Sequence, residues 1–285
     1  MKDRDLALFV CLHKPFPVPE NALLQPVQVG AALAEEPIPG CQGEDAGENI
    51  SEKNPRYCEL TAQYWVWKNC RVDYCGFFHY RRYLYPGLGD KAPYRVEALP
   101  TGELLDKLGF ARFSQLVGDY DLVAPRGEDM RRSVRAHYAG ARHHRGADLA
   151  LVEEIVRERT PEYAGAMDAY LAQSVCYFGN IYIMAWPVFE RYCQWLFPVL
   201  EEFDRRADWT GRSPQELRAD GYLAERLFGV FYTKLKAEGA RTLELPRVDF
   251  IPGSGARRKR KLLNALLPPG SRRRAWVKGL AGGGG

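Results

Sequence analysis

Short apolar runs recur along this chain, and each ends in a cluster of charge or proline. LALFVCL (6–12) stops at HKPFPVP, DYCGFF (73–78) at HYRRY, and YDLVAP (120–125) runs into RGEDMRR. NIYIMA (180–185) is a fourth run. Runs of this length are buried strands rather than long core helices or membrane spans. Between them the spacing turns helical. NPRYCELTAQYWVWKN (54–69) sets Tyr57, Leu60, Tyr64 and Trp67 on one face, with Asn54 as N-cap and Pro55 at the first helical position. One or two helices are expected over 103–118, and three more over 131–143, 147–158 and 162–173. PVFERYCQWLFPVLEEFDRR (187–206) is amphipathic, with a bend expected at Pro198. A last long helix is expected over 213–237 and extended chain over 240–250, while 17–54 reads as a long structured loop. Strands alternating with helices predict an α/β sheet domain.

In open α/β sheets ligands collect at the carboxyl ends of strands. Three strand ends here are polar. Arg81 and Arg82 offer planar forks matched to phosphate or carboxylate oxygens. His79 stands beside them, and Tyr80 and Tyr83 supply hydroxyls and ring faces. The competing reading is a strand exit paired with acids elsewhere. Side-chain alternation along extended chain predicts that only one of the two arginines faces a ligand. After the first run, Lys14 can hold a phosphate and His13 can contact a base or sugar, unless both simply cap a solvated loop.

GEDAGENISEKNP (43–55) places Asp45 and Glu48 near Asn49 and Ser51. Carboxylates there can bind sugar hydroxyls, act as a general base or ligate a divalent cation, and a solvated acidic loop is the alternative. Glu59 is a lone acid in an aromatic helix and a further candidate base. Residues 131–145 are basic and include His137, but Glu128, Asp129 and Asp148 dilute the charge, and no nucleic-acid motif appears. Arg218, Glu225 and Arg226 read as a structural ion-pair set, with the adjacent Glu225 and Arg226 expected on different faces.

Composition narrows the class. The seven cysteines are scattered without a CxxC or zinc spacing, which fits reduced thiols in the cytosol. The opening residues do not read as a signal peptide. Walker A, GxGxxG and GxSxG sequences are absent, which argues against an NTPase, a dinucleotide oxidoreductase and a serine hydrolase. Net charge is +4, yet no acid follows Asp249 while nine cations do, leaving 31 basic against 36 acidic residues in the body. A basic tail points to an anionic partner, either membrane headgroups or nucleic acid.

HKPFPVP, VQVG, GEDAGENISEKNPRYCELTAQYWVWKN, DYCGFFHYRRYL, YDLVAP, GNIYIM and GYLAERL, in this order, resemble a bacterial family long catalogued as a domain of unknown function. Its members occur in capsule, exopolysaccharide and O-antigen gene clusters and are regarded as glycosyltransferases with a GT-A-like fold. The resemblance spans about residues 6–250. It implies a central mixed sheet flanked by helices with a helical C-terminal half, a transferase domain over 1–252, and a separate basic, amphipathic or disordered tail over 253–285. It further implies transfer of a hexose, with galactose the guess, from a nucleotide-diphosphate donor such as a UDP-sugar to a lipid-linked or growing glycan. A non-catalytic nucleotide-sugar or glycan binder on the same fold is the alternative.

On this reading Asp45, Glu48 and Glu59 are the candidate catalytic acids or bases. His13, Lys14, His79, Arg81 and Arg82 would hold the donor phosphates. Asn49, Ser51, Tyr80, Tyr83, His137 and Asn180 would contact sugar or acceptor. Many GT-A enzymes use manganese or magnesium on an Asp-x-Asp motif. Here HYRRY stands at the comparable strand end, so no metal ligands are assigned, although a divalent ion stays compatible. The tail would bind the anionic inner face of the plasma membrane, making the protein cytoplasmic and peripheral, with no nucleic-acid partner.

Overall fold

All seven residues of β1 (Leu6–Leu12) are buried, so the sheet containing it must be covered on both faces. Ala7, Phe9 and Cys11 enter one core, while Leu6, Leu8, Val10 and Leu12 enter another, following the two-residue period of a strand. The computed structural model describes residues 5–269, 271–274 and 277. Asp3, Arg4, Trp276, Lys278 and the terminal GGGG lie outside them.

The further strands are β2 (Leu24–Gln28), β3 (Gln42–Gly43), β4 (Tyr74–His79), β5 (Arg82–Leu84), β6 (Tyr94–Glu97), β7 (Leu122–Pro125), β8 (Glu128–Asp129), β9 (Val175–Cys176), β10 (Tyr182–Ala185), β11 (Thr242–Leu245) and β12 (Arg247–Phe250). The main sheet runs β11-β7-β10-β4-β1-β2-β3, and β5, β12 and β6 extend it from β4. β1 is parallel to β2 and β4, whereas β10 is antiparallel to both β4 and β7. The expected mixed sheet is therefore present. β8 and β9 form a separate two-stranded ribbon.

The helices are α1 (Asn54–Tyr57), α2 (Leu60–Asn69), α3 (Gly102–Lys107), α4 (Phe113–Val117), α5 (Val134–Ala139), α6 (Gly146–Arg159), α7 (Ala164–Ala172), α8 (Trp186–Arg206), α9 (Ala219–Ala237) and α10 (Ser254–Leu266). Residues of α2, α6, α7, α8 and α9 build the core on one face, and Leu105, Phe113 and Val117 of α3 and α4 contribute to the other. α9 lies so close to α7 that a methyl group added at Gly229 would overlap the Tyr170 ring.

Three local expectations are corrected. The 17–54 loop contains β2 and β3, which widen the sheet beyond β1. The helix expected over 54–69 breaks in two, because Cys58 adopts φ 53° and ψ −130°. Asn54 is not an N-cap: its Nδ2 donates to the Cys58 carbonyl at 2.8 Å, satisfying an acceptor at the break. The expected helix over 187–206 is present as α8, with Pro198 inside it.

Candidate active site

The polar strand ends share one edge of the sheet. β1 and β4 are parallel, with Cys11 beside His79. β7 points the same way, since β10 is antiparallel to both β4 and β7. Tyr182 pairs with Phe77, so Asn180, two residues before Tyr182, is level with His79, two residues after Phe77. A cleft of about 470 Å³ opens here. β4 and β5 supply His79, Arg81 and Arg82 to its wall, and the α1–α2 break supplies Cys58 and Glu59. α9 and the residue before it add Arg218, Tyr222, Glu225 and Arg226. Arg218, Tyr222 and Glu225 stand at i, i+4 and i+7, which is one helical face.

Both Arg81 and Arg82 line the cleft. Arg81 sits in the turn between β4 and β5, where the strand alternation behind the expectation of a single facing arginine does not apply. The adjacent Glu225 and Arg226 also line it together, and Arg226 Nη1 donates to Glu225 Oε2 at 3.2 Å. Arg218 Nε donates to Cys58 Sγ at 3.2 Å, and the Arg81 guanidinium lies 5.0 Å from the Tyr80 ring centroid. Among the described residues, Arg81, Arg82 and Arg218 form no direct salt bridge with a carboxylate, while the Arg218 and Glu59 charges attract one another across the cleft. Arg247 contrasts with them: it borders the same cleft but is neutralised by Glu128 at 2.8 Å and Asp249 at 2.9 Å. Three guanidinium groups outside any direct salt bridge give this wall the chemistry to receive an anion.

The cations govern the neighbouring imidazoles. Burial, then the Arg82 and Arg81 charges, push the His79 pKa down to about 2. His79 is thus neutral. Its Nδ1 accepts the Arg81 backbone N–H at 3.2 Å, which assigns the ring proton to Nε2 and makes that atom a donor. His13 is exposed beyond β1, with its ring 6.4 Å from that of His79. Burial lowers its pKa, and the Lys14, Arg218 and Arg81 charges lower it further.

Glu59 is held with unusual backbone cost. It follows Cys58, and its Oε1 accepts from Asn180 Nδ2 at 2.8 Å. Cys58 and Asn180 (φ 53° and 49°) are two of the few non-glycine residues with positive φ among the described residues. Such strain persists where the surroundings over-determine it, and it gathers at functional sites. The surroundings here are explicit. Asn180 Nδ2 also donates to the Gly221 carbonyl at 3.1 Å, its own carbonyl accepts from Gln63 Nε2 at 3.2 Å, and Gln63 Oε1 accepts from the Tyr182 hydroxyl at 2.7 Å. A Cβ at Gly221 would stand 3.2 Å from Cys58 Sγ, so α9 packs directly on the break. Burial raises the Glu59 pKa; the Asn180 bond opposes this, and the nearby Glu225 charge adds to it. Glu225 itself is occupied, accepting the Gly179 N–H at 2.7 Å as well as Arg226.

Other sequence candidates fall elsewhere. Asp45 and Glu48 are exposed outside the cleft, and Glu48 is tied to Lys68 and Tyr64 at 3.0 Å each. Asn49 closes its own loop, donating to the Asp45 and Gly47 carbonyls. Ser51 is buried and accepts the Ala32 N–H at 3.0 Å. Tyr83 is a core residue stacked on Phe78 at 5.3 Å, and Tyr80 is buried beneath His13 and His79. Lys14 is exposed and does not line the cleft. His137 does line it, near Arg226. Arg218, Tyr222, Glu225 and Arg226 are the cleft residues whose role the sequence did not reveal. Their signal was the polar i, i+4, i+7 face on an otherwise apolar helix.

The residues present do not fit a divalent cation. No cluster of three or more His, Cys, Asp or Glu groups able to hold one occurs among the described residues, and the cleft's two carboxylates are bonded to Asn180, Gly179 and Arg226.

Among solved structures, the chain is similar to the bifunctional glycosyltransferase WbbM in its apo form, with 31% identity and a TM-score of 0.82 over 86% of this chain. The GT-A-like architecture expected above is thereby shown. The chain spans 45% of WbbM's length. No curated protein matches. The model of the family described as Domain of unknown function (DUF4422) matches residues 7–236, most of the length, and the chain belongs to that family.

Proposed function

We propose that this protein is a glycosyltransferase that moves a hexose from a nucleotide-diphosphate-sugar, of the UDP-sugar type, to a glycan acceptor carried on lipid during capsule, exopolysaccharide or O-antigen assembly. The observation that carries the reading is the convergence of Arg81, Arg82 and Arg218 in one cleft, beside a half-buried Glu59 oriented by Asn180. As the anomeric carbon–oxygen bond breaks, negative charge accumulates on the leaving diphosphate. The guanidinium groups meet that charge in a cleft already preorganised for it. The His79 Nε2 proton adds a neutral donor. Glu59, held by Asn180, takes the proton from the acceptor hydroxyl as it attacks. No step is routed through a metal ion. Similarity to WbbM supports the reaction class.

Calorimetric titration tests the donor site. Uridine, guanosine or thymidine diphosphate should bind, and the monophosphate should bind more weakly. Arg82→Ala and Arg81→Ala should each reduce diphosphate affinity about 10- to 100-fold, the loss expected for a charge-assisted hydrogen bond. Unchanged affinity in both variants would remove the phosphate site from the proposal.

A further inference from the structure

The fold fixes which side of α10 faces outward. Asn264 Oδ1 accepts from the Tyr94 hydroxyl at 3.1 Å and from Arg274 Nη1 at 2.8 Å. Arg274 is only 8% exposed and also reaches the Leu267 carbonyl. Lys261 pairs with Glu97 of β6 at 3.6 Å, and Arg257 donates to the carbonyls of Ile251 and Pro252. Residues 257, 261 and 264 stand at i, i+4 and i+7, so these contacts define one inner face. Positions two residues to either side of Asn264 fall on the opposite face, at about 100° of rotation per residue. They are Leu262, 62% exposed, and Leu266, 65% exposed. Arg258 and Lys259 are exposed on that side as well, and Leu263 flanks it.

We infer that this outer face of α10 docks the protein on an anionic lipid bilayer. The helix carries five consecutive cations, Arg257 to Lys261, and no acid; Arg272 and Arg273 beyond it are exposed too. Leu262 and Leu266 share the outer side with Arg258 and Lys259, the pattern of a helix lying in a bilayer interface, with leucines at the acyl boundary and cations among anionic headgroups. No helix among the described residues is long and apolar enough to cross a membrane, so the attachment is peripheral. This deepens the proposal of a lipid-carried acceptor but is read by sedimentation rather than turnover, so either can fail alone.

The test is co-sedimentation of the full chain with phosphatidylglycerol–phosphatidylcholine vesicles and with pure phosphatidylcholine vesicles. The protein should pellet with the first and not the second. Leu262→Glu with Leu266→Glu, and separately Arg258→Glu with Lys259→Glu, should each cut binding at least tenfold with an unaltered thermal transition. Leu88→Glu, an exposed leucine elsewhere, should have no effect. Equal binding to both vesicles, or binding indifferent to both double variants, overturns the inference. So does a lipid-free dimer that the leucine variant dissociates, which would make a second copy the occupant. Preference for a duplex DNA probe over anionic vesicles overturns it as well.

Discussion

Replacing Asn180 with alanine should separate the chemistry of Glu59 from the stability of its surroundings. The substitution removes the 2.8 Å donor to Glu59 and the 3.1 Å donor to the Gly221 carbonyl. A hydrogen bond to a charged group is worth about 1.5–3 kcal/mol, so kcat/KM should fall about 10- to 100-fold if the bond orients the base. The Gly221 carbonyl, already inside helix α9, loses a second hydrogen bond worth roughly 0.5–1.5 kcal/mol, and a left-handed alanine adds about 1–2 kcal/mol. Asn180→Gly removes the second cost but not the first. The two variants should therefore differ in thermal stability yet share the same kinetic defect.

The pH profile gives the sharper readout. The Asn180 bond favours ionised Glu59 against burial, which disfavours it. Without that bond the Glu59 pKa rises further. The base form is then lost at higher pH, so the acid limb of kcat/KM moves upward. A steady-state assay of nucleoside-diphosphate release across pH measures both quantities. A kinetic loss with an unmoved acid limb, or normal activity in both variants, would refute the assignment of Glu59 as base.

Further outcomes follow from the same geometry. Glu59→Gln should abolish transfer and raise Tm at neutral pH. A carboxyl with its pKa raised by burial contributes its full stability only at low pH and loses it as pH rises, so a neutral amide avoids the loss. Each kcal/mol recovered would raise Tm by roughly 2–4 °C, and the gain should vanish in acid. Gly229→Ala should lower stability by about 1–3 kcal/mol in denaturant unfolding, because the new methyl meets the fully buried Tyr170 ring.

The sheet was legible where strands were apolar on both faces. β1 was read to the residue because burial on both sides leaves a continuous apolar run. β2 was hidden by its sequence, LQPVQ, in which Pro26 argues against a strand. The structure tolerates Pro26 because β3 pairs only with Val27 and Gln28, leaving the outer edge of β2 without a ladder partner at Pro26. The break at Cys58 carries no glycine or proline signal. It is imposed by α9, with Gly221 packed on Cys58 and Arg218 on its sulfur. That contact joins residues far apart in sequence and cannot be read from local periodicity. For the same reason HYRRY marked the cationic wall of the cleft from its strand end, whereas Arg218, just before α9, did not. Asp45 and Glu48 misled because an acid-rich loop looks alike whether it faces a ligand or water.

Sugar transfer at the cationic cleft is decided by a donor-turnover screen over UDP-, GDP- and dTDP-sugars, run with and without EDTA. One nucleoside diphosphate should be released from a matching donor, at a rate EDTA leaves unchanged and Arg82→Ala reduces. Diphosphate binding without turnover of any donor, or turnover only when manganese is supplied, would contradict it.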